Sequence, residues 1–421
     1  MPSRLPAVSE SFLESLRSKT YPGLAAEIMG LLLQDEIDKA DLADLCYDVY
    51  NFAIPVERID ENNYILKLDE GPTASFKDFA ALLMGRLMQH FLRKEDRYMT
   101  ILTATSGDTG GAVANAFAGL QNIRVVILFP AEEVTPVQRK QMTTLHSNVQ
   151  AIAVNGKFDD CQALVKKAFM ESSLEPLNLS SANSINIGRL LPQSVYYFWA
   201  WSRITLKPEN RIIFSVPSGN LGNLTGGLIA REMGLPVIRF IVSTNSNNEV
   251  PEYLRNGTYS PVNPSINNIS SAMNVGHPSN LSRVIALFGG EMDENGIITK
   301  SPDLEKMRQV LSGISVSDEL TAETIRLMSR KYSVILEPHG AVAWHGLKQF
   351  LRENPDFDNR NIFRVAIETA HPGKFREELE KILGMPLPLP DSLAKIEGGR
   401  EEYISLENDF ETFRKYLINT H

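Results

Sequence analysis

The chain has 421 residues, of which 43% are hydrophobic and 22% charged, with a net charge of -9. That length exceeds one compact core and predicts two or three domains, and the acidic balance argues against a general nucleic-acid surface. Two cysteines, Cys46 and Cys161, exclude a disulfide framework or a zinc spacing; with no membrane-length apolar run and no signal pattern, the expectation is a reduced, soluble, cytoplasmic protein.

The first 50 residues predict helices over Val8–Leu16, Pro22–Leu33 and Ile37–Tyr50, the second with Leu24, Ile28, Leu31 and Leu32 at helical steps. Tyr64–Leu68 alternates as a short strand, ended by Glu70-Gly71-Pro72. Next comes Gly71–Ala80. Ser75 with Asp78 three residues on reads as a capping box, and Phe76, Phe79, Ala80, Leu83, Leu87 and Phe91 follow at helical period. Lys77 then sits in the first turn, where the positive end of the helix dipole disfavours an ammonium. Its amine is expected to titrate below a free lysine and to be able to form an imine with an aldehyde. A lysine that only solvates a helix start would show the same local pattern.

Beyond Lys77, strands over Tyr98–Ala104, Arg124–Phe129, Val149–Val154, Arg211–Val216 and Val237–Val242 alternate with helices over Gly111–Leu120, Thr135–Leu145, Phe158–Glu171, Arg189–Trp201 and Asn223–Met233. Residues 244–280, crowded with Asn and Pro, predict a loop-rich stretch. Helices fill much of 302–330, and Ser333–Leu336 and Ile362–Ile367 are late strands. This alternation predicts an α/β fold of two lobes, with mostly parallel sheets flanked by helices, after a small helical N-terminal region. The expected boundaries are 1–72, 73–207 and 208–421, with a junction near Pro208.

Four further stretches carry chemistry. Thr105-Ser106-Gly107-Asp108-Thr109-Gly110-Gly111 joins a strand to a helix, and its glycines and hydroxyls suit an anion more than an ordinary turn requires. Ser218-Gly219-Asn220-Leu221-Gly222-Asn223 does the same and lets several amides converge on one phosphate, without a dinucleotide or Walker pattern. Asn183-Ser184-Ile185-Asn186-Ile187-Gly188-Arg189 ends in an arginine able to hold a carboxylate or phosphate, or equally to point to solvent. In Glu368-Thr369-Ala370-His371-Pro372, Thr369 could donate to a ring nitrogen, while His371 reads as a loop histidine. His339 and His345 flank a helix start at Gly340 and read as structural, and no metal spacing appears. An imine-forming lysine, a phosphate cradle, an anion loop and a ring-nitrogen partner are together the requirements of pyridoxal phosphate.

In these five motifs, in this order across nearly the whole chain, the sequence resembles the threonine synthase family of fold type II pyridoxal-phosphate enzymes. The resemblance implies a lyase of amino-acid biosynthesis that converts O-phospho-L-homoserine and water to L-threonine and phosphate by β,γ-elimination and replacement, the last step of threonine formation. It makes Lys77 the Schiff-base lysine and main proton carrier. It places Gly219, Asn220, Leu221, Gly222 and Asn223 on the cofactor phosphate, Asp108 near the cofactor, and Thr369 at the pyridine nitrogen, which a neutral hydroxyl leaves unprotonated more readily than a carboxylate would. Thr105, Ser106, Gly107 and Thr109 would take the substrate carboxylate, and Asn183, Ser184 and Arg189 its phosphate. The expected partner is this small molecule, with no nucleic acid or membrane, the chain acting as monomer or homodimer.

Three departures qualify the resemblance. Asp108 stands where many pyridoxal-phosphate relatives have asparagine. The start at Met1-Pro2 resembles the middle of the family's N-terminal segment, as a truncated or shorter branch would. Residues 265–280 lack the family's usual loop pattern. Rival readings are a sister phospho-lyase or serine/threonine dehydratase giving a 2-oxo acid, and a non-catalytic binding protein. A dehydratase has no need of Asn183 and Arg189, and a binding protein has none of Lys77.

Overall fold

The apolar runs form the centres of separate sheets. The computed structural model describes residues 5–145, 147–205, 207, 209–293 and 295–420; Met1, Pro2 and the junction expected at Pro208 lie outside them. The strands in this part of the chain are β1 Val56–Asp60, β2 Asn63–Lys67, β3 Met99–Ala104, β4 Ile123–Pro130, β5 Val149–Asn155, β6 Leu179–Ser181, β7 Arg211–Pro217, β8 Val237–Thr244, β9 Glu291–Met292, β10 Ile298–Lys300, β11 Leu311–Ser315, β12 Ile362–Glu368 and β13 Ile404–Glu407. One sheet runs β1-β2-β12-β7-β8-β11, another β13-β5-β4-β3-β6, and β10-β9 form a small pair. The five-stranded sheet is parallel throughout. The six-stranded sheet is parallel except for the hairpin β1–β2. The expected α/β class is therefore the observed one.

The chain divides into two compact units, Met1–Glu70 with Leu190–Pro388 and Gly71–Arg189 with Leu389–His421. This differs from a division into three consecutive segments, for reasons visible in the packing. The N-terminal helices belong to the first unit: Val8 N–H donates to Met233 O at 2.8 Å, and the Tyr21 ring meets Trp199 edge-on at 5.5 Å. The aromatic helix Val195–Ile204 stays with them, through Trp199 Nε1 donating to Ile54 O at 3.0 Å. The C-terminal residues join the second unit, where β13 extends the sheet along β5.

Both faces of the five-stranded sheet are covered. Ile101, Val125, Ile127 and Phe129 pack with Phe117, Ala81 and Met84 of the helices Asp108–Phe117 and Lys77–Lys94. Leu102, Val126 and Ile152 pack with Leu164, Phe413 and Leu417 of Phe158–Met170 and Phe410–Asn419. In the other unit Ile213, Ile241 and Ile65 pack with Trp344, Leu347 and Phe350 of the helix Pro338–Glu353.

One local expectation is corrected and two are refined. Ser333–Leu336 is not a strand. Ser333 takes a left-handed φ of 56° that ends the helix Asp318–Tyr332, and the next residues link it to Pro338. Leu311–Ser315, within the stretch expected to be helical, is the edge strand β11, held by pairing to β8. Glu249–Asn256, within the expected loop-rich stretch, is a helix ended by Gly257 at φ 80°.

Candidate active site

Lys77 is the first residue of the helix Lys77–Lys94, as expected, but the capping differs. Ser75 Oγ accepts from Lys77 N at 3.3 Å. Asp78, fully buried, turns back instead to Thr73, accepting its amide at 2.8 Å and its hydroxyl. Gly71 is required there, since a Cβ would stand 2.5 Å from Asp78 Oδ2. Ala74 takes a left-handed φ of 53°, an unfavourable conformation for a residue with a Cβ. The turn that presents Lys77 is thus fixed by a buried carboxylate rather than by a helix cap.

Lys77 Nζ lies 3.6 Å from Asp108 Oδ2, the two side chains being 16% and 4% exposed. Asp108 Oδ1 accepts from Gln138 Nε2 at 3.1 Å. The aspartate that departs from the common asparagine therefore faces the lysine ammonium. The loop bearing it is internally tied: Thr105 Oγ1 accepts from Gly107 N at 3.0 Å and Gly110 N at 2.9 Å and donates to Gly107 O at 3.0 Å. Thr105 is 1% exposed, so its hydroxyl shapes the loop, while Ser106 is exposed and Thr109 half-buried. Gly107 has φ 145°, and a Cβ there would come within 2.5 Å of the Gln138 amide.

The segment after β6 is also held by its own side chains. Asn183 Nδ2 donates to Ala104 O at 2.8 Å, and Asn186 Nδ2 to Ser181 O at 2.9 Å. Arg189 does not point to solvent. It is 3% exposed, and its Nη1 donates to Ala182 O at 2.6 Å. Burial pulls its pKa down to about 10, against the neighbouring Asp78 carboxylate, so it remains a cation. Ser184 is half-buried and Ile185 exposed, so these two form the outward part of the segment.

In the other unit, the residues after β7 turn through Leu221 at φ 58° into the helix Gly222–Glu232, whose start has no side-chain cap. Its free amides suit an anion. A Cβ on Gly219 would stand 2.9 Å from Ala272 O, so the loop lies tightly against that backbone. Asn223 is 5% exposed. Its Oδ1 lies 2.7 Å from the Tyr196 hydroxyl and 2.6 Å from that of Tyr197, which turns Nδ2 away from the pair. That Nδ2 has no hydrogen-bond partner among the described residues. Asn220 is engaged with Ser279 and Asn280.

β12 pairs directly with β7, so Thr369 follows the strand next to this loop. Thr369 Oγ1 lies 3.2 Å from Glu337 Oε1. His371 is structural, as expected: its Nδ1 accepts from Gly373 N at 3.0 Å, and burial, with Lys67 and Lys374, pulls its pKa down to about 4. Behind Thr369 lie two further carboxyls. Asp69 is 2% exposed with neither oxygen partnered among the described residues, and burial raises its pKa to about 7. Glu368 is raised well above the carboxylate range by burial and then by Asp69. A carboxyl raised in the fold adds stability that is full below its ordinary value of 3.8 and lost as pH climbs to about 7. Asp69→Asn should therefore gain stability over the native protein at pH 8 by about 1–3 kcal/mol, and less at pH 4.5. Denaturant melts at both values check this; a gain independent of pH contradicts it.

Gln138, the Tyr196–Tyr197 pair, Glu337 and His339 are site elements that the motifs did not assign. Only Glu337-Pro338 carried a usable signal, an acceptor followed by a proline suited to the first helical position. Among the described residues no three His, Cys, Asp or Glu side chains could hold a metal ion, and no helix is long and apolar enough to cross a membrane.

A family model described as pyridoxal-phosphate dependent enzyme matches residues 54–363, which include Lys77 and both glycine-containing loops. Models for the threonine synthase N terminus and C-terminal region match residues 1–50 and 340–417. The chain is 42% identical over 398 residues to the threonine synthase of Haemophilus influenzae, covering 94% of this chain and 87% of that one. It superposes on the crystal structure of Escherichia coli threonine synthase with a TM-score of 0.87 at 38% identity, covering 100% of this chain and 93% of the other. For the pyridoxal-phosphate-bound threonine synthase of Brucella melitensis the TM-score is 0.91 at 32% identity, covering 100% and 92%. The chain belongs to the threonine synthase family of pyridoxal-phosphate-dependent enzymes.

Proposed function

We propose that this chain is a cytoplasmic enzyme converting O-phospho-L-homoserine and water to L-threonine and phosphate. Beyond family membership, the observation that carries the reading is the placement of Lys77: a half-buried amine 3.6 Å from Asp108, on a turn fixed by Asp78. The residues present suit the cofactor. The orphaned Asn223 Nδ2 and the uncapped helix start at Gly222 offer donors to a phosphate, on a loop with no room for a Cβ at Gly219. When bound, pyridoxal phosphate supplies an aldehyde for the lysine amine and an electron-withdrawing ring that stabilises the charge left on an adjacent carbon.

The chain's own groups do the rest. Lys77 Nζ takes the proton from the substrate Cα, carries a proton from Cβ to Cγ as the Cγ–O bond to the phosphate breaks, so that Cγ becomes the methyl group, and returns one to Cα after water adds its hydroxyl at Cβ and releases its other proton with the phosphate. Asp108, held by Gln138, fixes the orientation of that amine. Ser106, Gly107 and Thr109 hold the substrate carboxylate through amides and a hydroxyl, with Thr105 keeping their loop in shape. Ser184, with Asn183 and the Arg189 charge behind it, takes the substrate phosphate. Thr369 meets the ring nitrogen.

Supplied with phosphohomoserine, the holoenzyme should release threonine and phosphate in equal amounts; 2-oxobutyrate as main product would contradict the reading. Asn223→Ala should weaken cofactor affinity about tenfold, the worth of one buried charge-assisted hydrogen bond. Fluorescence titration of the apoprotein measures this, and unchanged affinity would remove Asn223 from the cradle.

A further inference from the structure

The hydroxyl of Thr369 is not free to choose its partner. Glu337, fully buried, caps the helix Pro338–Glu353 and accepts from His339 N at 2.6 Å and Gly340 N at 2.9 Å. Its Oε2 also meets His339 Nδ1. The other imidazole nitrogen, Nε2, takes the Ala272 amide at 3.1 Å. An amide N–H only donates, so Nε2 is the acceptor and Nδ1 carries the proton given to Glu337. Thr369 N adds a longer approach to Oε1 at 3.4 Å. Both carboxylate oxygens are thus surrounded by donors, at a helix N-terminus that favours negative charge. A hydroxyl 3.2 Å from Oε1 then donates to it and offers only lone pairs in any other direction.

We propose that Glu337 is a positioning residue that holds the Thr369 proton, so that Thr369 presents an acceptor to the cofactor's ring nitrogen and keeps that nitrogen protonated. This rests on the reading that Thr369 meets the ring nitrogen. It reverses the expectation for a hydroxyl at that position, which holds only when the hydroxyl can rotate to donate. The other groups on these elements leave the bias in place. Burial keeps Asp69 and Glu368 toward their neutral forms and His371 uncharged, and Lys67 is a cation beside Asp69 and Glu368. The same chain of contacts reaches the phosphate loop, because Ala272, which His339 holds through its amide, is the residue whose carbonyl packs on Gly219.

The test is nitrogen-15 NMR of the holoenzyme loaded with ring-labelled pyridoxal phosphate. The native protein should show the upfield resonance of a protonated pyridine. In Glu337→Gln the carboxamide can donate to Thr369 Oγ1, which frees the hydroxyl to donate to the ring, and the signal should move to the unprotonated position. Thr369→Val should also displace it. A native signal at the unprotonated position overturns the proposal, as does a protonated signal that Glu337→Gln leaves unmoved. Should Glu337→Gln fail to fold, the native signal still decides. A signal unaffected by Thr369→Val means instead that Thr369 does not meet the ring, so failure of the underlying placement is seen separately.

Discussion

Lys77→Ala is expected to lower threonine formation by about a thousandfold or more while leaving the fold intact. The amine is assigned both the covalent hold on the cofactor and the proton transfers at Cα, Cβ and Cγ, and its Nζ lies 3.6 Å from Asp108 Oδ2. The fold should survive because the turn does not depend on this side chain. Asp78 holds Thr73, Ser75 holds the first helical amide, and Asp108 keeps Gln138. Alanine is also favourable in a helix. Circular dichroism should show a melting temperature within a few degrees of the native protein. A folded Lys77→Ala variant that still turns over phosphohomoserine would exclude the proton-transfer scheme.

Arg189→Ala should act twice. Loss of a buried cation should raise KM for the phosphorylated substrate about 10- to 100-fold, the range for a charge-assisted hydrogen bond, with a smaller change in kcat. It should also lower stability by about 2–4 kcal/mol, since the Ala182 carbonyl loses its donor and buried Asp78 loses a nearby positive charge. Steady-state kinetics with phosphohomoserine, alongside a denaturant melt, separate the two effects. A folded variant with native KM would leave Arg189 a purely structural cation.

Much of this architecture was legible in the sequence because its signals are local. The runs at Ile123–Pro130 and Arg211–Pro217 are apolar enough to read as buried strands, and glycine-containing loops follow β3 and β7, where α/β folds gather ligands. What was not legible depends on partners far along the chain. Glu337 lies 32 residues before Thr369, Gln138 lies 30 after Asp108, and Tyr196 lies 27 before Asn223. No periodicity reports such pairings. The motif at 183–189 gave the residue types but not their directions: Asn183 turns to the end of β3 and Arg189 turns inward. The unit boundaries were hidden for the same reason, since β13 finds β5 only in three dimensions.

Borohydride reduction of the holoenzyme followed by peptide mass mapping addresses the central assignment most directly. The pyridoxyl mass should appear on the peptide containing Lys77 and disappear in Lys77→Ala. Its appearance on another lysine, or a native protein that retains no reducible cofactor, would contradict the account.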